Sequence, residues 1–134
     1  MAGSGKSIEV WNHVSQKQLL RLDKKGSYGI SCFTHSCLPS NPETSVVVYA
    51  DGQDTQVFKV NPRQLEVTKL TKSLCHHNQI RSLPAFKWVQ CFTEESQPDL
   101  MQVMGIDSQL NVIKINVETL SVQVVANLAE VLVH

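Results

Sequence analysis

Four clusters along this chain carry residue types that could do chemistry. Gly3-Ser4-Gly5-Lys6-Ser7 resembles the end of a phosphate-binding loop. Such a loop needs a strand before it and a helix after it, so that backbone N–H groups converge on the phosphate. Here a strand-like run follows instead, and the segment reads as a flexible polar tail. Cys32, Cys37 and Cys75-His76-His77 are zinc-ligand types. Zinc needs four such groups converging as a tetrahedron, and this spacing is loose. His35, Ser36 and Cys37 offer a base beside two nucleophiles. Neighbours on a strand point to opposite faces, so adjacency is not a catalytic geometry. Glu94-Glu95 is one acidic pair on a loop, and a general acid/base role would need a second convergent carboxylate or a cleft, so it reads as a solvated loop. None of the four supports an active site, so no catalytic, cofactor-binding or metal-ligating residue is assigned.

The elements that would position these residues are strands. The 134 residues carry 42% hydrophobic and 18% charged side chains, and twelve basic residues balance twelve acidic ones. That composition suits one soluble globular domain. The longest basic run is Lys24-Lys25, too little for a nucleic-acid footprint or a polybasic membrane anchor. No segment reaches the roughly 20 apolar residues that span a bilayer. The first residues do not resemble a signal peptide. Four cysteines in such a chain read as free thiols of a reducing compartment, the cytoplasm or the nucleus.

Alternating runs end three times in the same way, at Val10-Trp11-Asn12, Lys59-Val60-Asn61 and Lys114-Ile115-Asn116. Each asparagine is followed by a short polar turn and a second apolar run. About ten strands are expected, grouped as two, four and four, joined by tight turns and therefore antiparallel. Val46 to Ala50 is β-branched and apolar on both faces, which fits a strand buried inside a stack of sheets. Leu38 to Glu43, with two prolines, is expected to break the pairing. Residues 71–85 read as an irregular connection, and 127–134 as a helix or a last strand. Phe86, Trp88 and Gln90 are expected on one face of their strand.

A strand-only repeat with a period of roughly 40–50 residues is the signature of propeller blades. Tyr49-Ala50-Asp51-Gly52 before Val57-Phe58-Lys59-Val60-Asn61, and Gly105-Ile106-Asp107-Ser108 before Val112-Ile113-Lys114-Ile115-Asn116, have the layout of WD repeats. Ile8-Glu9-Val10-Trp11-Asn12 looks like the second half of an earlier blade. The chain thus resembles the WD-repeat family over residues 7–125, with asparagine where the family has aspartate. No Gly-His dipeptide precedes a blade, although His76-His77 lies in the matching connection. Residues 1–6 are then an N-terminal tail and 126–134 a C-terminal one.

The expected fold is all-β: antiparallel four-stranded meander blades forming an incomplete β-propeller. Two and a half blades cannot close a ring, since closed propellers need at least four. Missing blades in a longer form, a partner's strands, or closure into a small sandwich or barrel would resolve this, in that order.

The resemblance implies a non-enzymatic protein–protein interaction scaffold, with other proteins as partners. Nucleic acid and membrane are not expected partners. Contacts are expected from residues 23–28, 37–44 and 73–85, naming Lys24, Lys25, Tyr28, Asn41, Glu43, His76, His77 and Arg81, with Trp88 as an exposed anchor or a core residue. The alternatives are a small closed β-barrel or sandwich binding a small ligand, and a zinc-stabilised interaction module.

Overall fold

The computed structural model describes residues 2–3, 7–12, 17–23, 30, 32–51 and 54–133, with side-chain environments for 30, 32–51 and 54–130. Three separate antiparallel sheets form. The first orders β1 (Ala2–Gly3), β2 (Ser7–Asn12) and β3 (Lys17–Asp23). The second is a meander of β4 (Cys32–Leu38), β5 (Asn41–Ala50), β6 (Thr55–Asn61) and β7 (Glu66–Lys69). The third repeats it with β8 (Phe86–Glu94), β9 (Gln97–Asp107), β10 (Asn111–Asn116) and β11 (Ser121–Asn127). Among the described residues no sheet closes into a barrel, which excludes the barrel alternative. The fold is all-β, an open set of blade-like meanders.

The repeated turn residues explain themselves. Asn116 Oδ1 accepts from the backbone N–H groups of Glu118 and Thr119, both at 3.0 Å. Asn61 Oδ1 accepts from Gln64 N–H at 3.1 Å. Each turn then closes on a leucine with positive φ, Leu65 at 56° and Leu120 at 61°. A side-chain carbonyl that takes up turn N–H groups is what asparagine supplies at this point. Asp51 and Asp107 do the same one hairpin earlier: Asp51 Oδ1 accepts from Asp54 N–H at 3.0 Å, and Asp107 Oδ1 from Asn111 N–H at 2.9 Å.

The second and third sheets share one core. Leu38, Val46, Val48, Ala50 and Val57 of the second meet Phe86, Val89, Met101, Val103, Ile113 and Ile115 of the third. The inner strands β4 and β8 lie close, with Cys91 N–H donating to Thr34 Oγ1 at 3.3 Å. The other face of the second sheet is also apolar and buried, through Val47, Tyr49 and Val60. The continuous β-branched run of β5 is therefore buried on both sides, as its sequence implies.

Four expectations need correction. The first group has three strands, because Ala2–Gly3 pairs with Ile8 and Glu9. Pro42 lies inside β5 rather than ending it, although the expected break in regular pairing holds there: Pro42 has no ladder partner and the β4–β5 register shifts beside it. Pro98 in β9 is placed alike: both prolines sit where the register of their hairpin shifts, and the ladders on the other side begin only at Ser45 and Gln102. A missing N–H costs nothing there. The third correction is α1 (Thr71–His77), a helix within the expected irregular connection. It has no side-chain cap, and it buries Leu74 and Cys75 in the core. A helix this short draws its stability from tertiary burial rather than from propensity, so no sequence period announces it. The fourth concerns β8 and is taken up with the site below. The C-terminal run is settled as a helix, α2 (Leu128–Val133).

Just after α1, Asn78 fastens the third sheet to the connection. Its Nδ2 donates to Leu74 O and Leu120 O, both at 2.7 Å, and its Oδ1 accepts from Val122 N–H at 3.0 Å. The side chain thus pairs with the edge of β11 as a strand backbone would. Asn78→Ala takes the side-chain partners from Leu120 O and Val122 N–H, while Leu74 O keeps the Asn78 N–H, and is expected to cost about 1–2 kcal/mol, read as a lower urea midpoint with an unchanged slope.

Candidate interaction surface

The expected contact residues fall in separate places. Meander topology puts the β4–β5, β6–β7 and β10–β11 turns at one end and α1 at the other. Asn41 and Glu43 are exposed at the first end, where Glu43 pairs with Arg63 at 2.7 Å. Ser40 Oγ donates to Glu118 Oε1 at 2.9 Å and so links the turns of two sheets. These turns enclose an open polar groove of about 460 Å³ whose walls include Lys59, Glu66 and Glu118. His76, His77 and Arg81 lie at the other end, and all three are exposed. Lys24, Lys25 and Tyr28 lie outside the described residues.

The metal-ligand types do not converge. Cys32 and Cys37 stand at opposite ends of β4, roughly 17 Å apart along an extended strand and on opposite faces. Cys75 is buried on α1. Among the described residues, no three His, Cys, Asp or Glu side chains group to hold a metal ion. The nucleophile cluster is equally dispersed: His35 stacks on Phe33 with ring centroids 6.1 Å apart, while Cys37 Sγ lies 3.7 Å from Ser45 Oγ. Desolvation pushes the Cys91 thiol up to about 11, against a hydrogen bond with Thr34 that lowers it. Iodoacetamide at neutral pH should therefore alkylate exposed Cys37 well before Cys91. Peptide mass spectrometry over time reads that order.

Trp88 stands apart from both ends. It is 44% exposed, whereas Phe86, two residues earlier, is fully buried. Strict alternation would put them on one face, and this expectation is the fourth to fail. The register with β9 shifts between them, pairing Phe86 with Asp107 but Trp88 with Ile106. This bulge at Lys87 turns Phe86 inward to join Val89 and sends Trp88 outward with Gln90 and Phe92. The sequence does carry a signal for it: Phe86 and the pair Val89 and Cys91 are all core-forming types, yet two-residue alternation cannot place them together.

The outward face of the third sheet has a counterpart in the second. Aligning Asp51 with Asp107 superposes β5 on β9, and aligning Asn61 with Asn116 superposes β6 on β10. Val46, Val48 and Ala50 then match Gln102, Met104 and Ile106, and Val57 matches Val112. In the second sheet these four positions are 0% exposed, because the third sheet covers them. On the same side of the third sheet Gln102 and Val112 are buried too, but Trp88 and Gln90 are exposed and Phe92, Met104 and Ile106 only half-buried. Trp88, Gln90, Phe92 and Met104 surround an apolar hollow of about 150 Å³ there. Beside it Lys114 pairs with Glu94, and that ion pair holds the Glu94 carboxyl below its usual range.

Compared with family models, curated proteins and solved structures, the chain matches none. What it binds must therefore be argued from this surface. Among the described residues, no helix is long and apolar enough to cross a membrane.

Proposed function

We propose that this chain is a non-enzymatic interaction module of the WD-repeat kind, a scaffold that receives a partner protein on the open face of its third sheet. One observation carries the reading. The face that the second sheet buries against a neighbour is left partly open on the third, around a large aromatic side chain beside an apolar hollow. Tryptophan is among the residue types most enriched at interaction hot spots. The polar turns at the two ends serve as secondary contacts, with Asn41 and Glu43 on one side and His76, His77 and Arg81 on the other. Four free cysteines suit the cytoplasm or nucleus as the place of action.

Trp88→Ala tests this. Its exposure keeps the expected stability change within about 1 kcal/mol. Partner capture should fall tenfold or more, a loss of about 1.4 kcal/mol at the least. Affinity purification of wild type and variant at equal loading, with cross-links mapped to β8, β9 and β10, checks it. Equal recovery by both proteins would sink the reading.

A further inference from the structure

We propose that Met104 is an oxidation site whose sulfoxide weakens partner binding on the outward face of the third sheet. This rests on the reading of that face as an interaction surface and adds its regulation. The chain carries three methionines, and the two on β9 have opposite surroundings. Met101 is 3% exposed, inside the shared core. Met104, three residues on, lies on the other face of the strand. It is half-buried and lines the apolar hollow with Trp88, Gln90 and Phe92. Access decides which thioether a small oxidant reaches.

The oxidant is hydrogen peroxide. A lone pair of the Met104 sulfur attacks one peroxide oxygen, so that an S–O bond forms and the O–O bond breaks. The proton on the transferred oxygen leaves with the departing hydroxide as water. Sulfur is oxidised by two electrons and the peroxide is reduced by two. Methionine sulfoxide reductases reverse the change.

The sheet around Met104 suits the product. Strand register sets Gln90 of β8 opposite Met104 on one side and Lys114 of β10 opposite it on the other. Residues paired in this way share a face, with Cβ atoms about 5 Å apart. The sulfoxide oxygen is a strong acceptor where the thioether is a weak one, and an amide and an ammonium donor stand beside it. Lys114 pairs with Glu94, so the new acceptor also competes with that carboxylate. Before oxidation the hollow offers a partner side chain aromatic and thioether walls. After it, an entering apolar side chain must strip water from the S–O dipole, which weakens binding.

Peroxide treatment of the full chain, with tandem mass spectrometry of the tryptic peptide 88–114, reads the order of oxidation. Met104 should gain oxygen at least about tenfold faster than Met101, which the oxidant reaches only when the core opens. Affinity purification then compares untreated and oxidised wild type, after a thiol reductant has restored the cysteines. Only proteins cross-linked to β8, β9 or β10 are scored. Oxidation should lower their capture about tenfold, and sulfoxide reductase should restore it. Met104→Leu should keep its capture through the peroxide step. Met104→Gln, which places an amide oxygen near the position of the sulfoxide oxygen, should capture as poorly as the oxidised wild type. It decides the matter if Met104→Leu loses its β-sheet circular dichroism.

Equal oxidation rates at Met101 and Met104, or Met101 first, overturn the site. A Met104→Leu protein that loses capture on oxidation as the wild type does places the damage elsewhere and overturns it as well. Capture that Trp88→Ala abolishes but oxidation leaves unchanged overturns the regulation, and the interaction reading stands. If the untreated wild type captures nothing on this face, both fall.

Discussion

Phe86→Ala should lower the unfolding free energy by about 3–5 kcal/mol, the range for truncating a fully buried aromatic side chain. Phe86 has 0% exposure and sits in the core shared by the second and third sheets. Its backbone is pinned as well. Thr55 Oγ1 accepts from Phe86 N–H at 3.1 Å and donates to Pro84 O at 2.6 Å. With the chain held beside the ring, the walls cannot collapse into the space left by truncation. The cost therefore belongs at the upper part of that range. Against a typical domain stability of about 5–15 kcal/mol, such a loss approaches unfolding at physiological temperature. Urea denaturation followed by circular dichroism gives the value. A change under about 1 kcal/mol, far below the cost of a true core cavity, would mean that the two sheets do not pack as described.

Gly105→Ala is expected to cost about 2–3 kcal/mol, unusual for the addition of one methyl group. A Cβ at Gly105 would lie 2.6 Å from Phe86 Cγ, well inside van der Waals contact. The ring cannot swing away, because the same buried walls and the Thr55 bonds hold it, so the methyl acts as overpacking. In the second sheet the position matching Gly105 is Tyr49, stacked on Phe58 with centroids 5.8 Å apart. The two sheets thus fill equivalent space from different strands: β5 supplies the ring in one, and β8 supplies it in the other. A double-mutant cycle checks this. With Phe86→Leu present the ring is gone, and Gly105→Ala should cost less than it does alone by about 1 kcal/mol or more, within the coupling seen for contacting pairs. Additive effects would contradict the contact.

Much of this fold is legible in the chain because turn chemistry is local. Asn61, Asn116, Asp51 and Asp107 mark turns whose N–H groups their own side chains satisfy, and that chemistry needs no distant partner. Period-two alternation in β6 and β10, and the unbroken apolar run of β5, likewise reflect a strand's own geometry. The helix over Thr71–His77 was not legible, since Leu74 and Cys75 become helical by filling space between sheets that are distant in sequence. Asn78 gives no local sign either, because its partner Leu120 lies 42 residues on.

The candidate surface divides in the same way. Trp88 was open to two readings, anchor or core, and residue type alone could not choose between them. The bulge at Lys87 chose, by changing which residues of β8 face the neighbouring sheet. Phe92, Met104 and Ile106 carry no motif and join the surface only through register across β8 and β9.

An all-β chain of repeated, asparagine-capped meanders follows from residue order alone, since turn capping and side-chain alternation are properties of a few adjacent residues. Which face of each meander is covered does not follow from it. Coverage depends on sheets brought together from distant parts of the chain, and on a single extra residue in one strand that turns Phe86 into the core and Trp88 out of it.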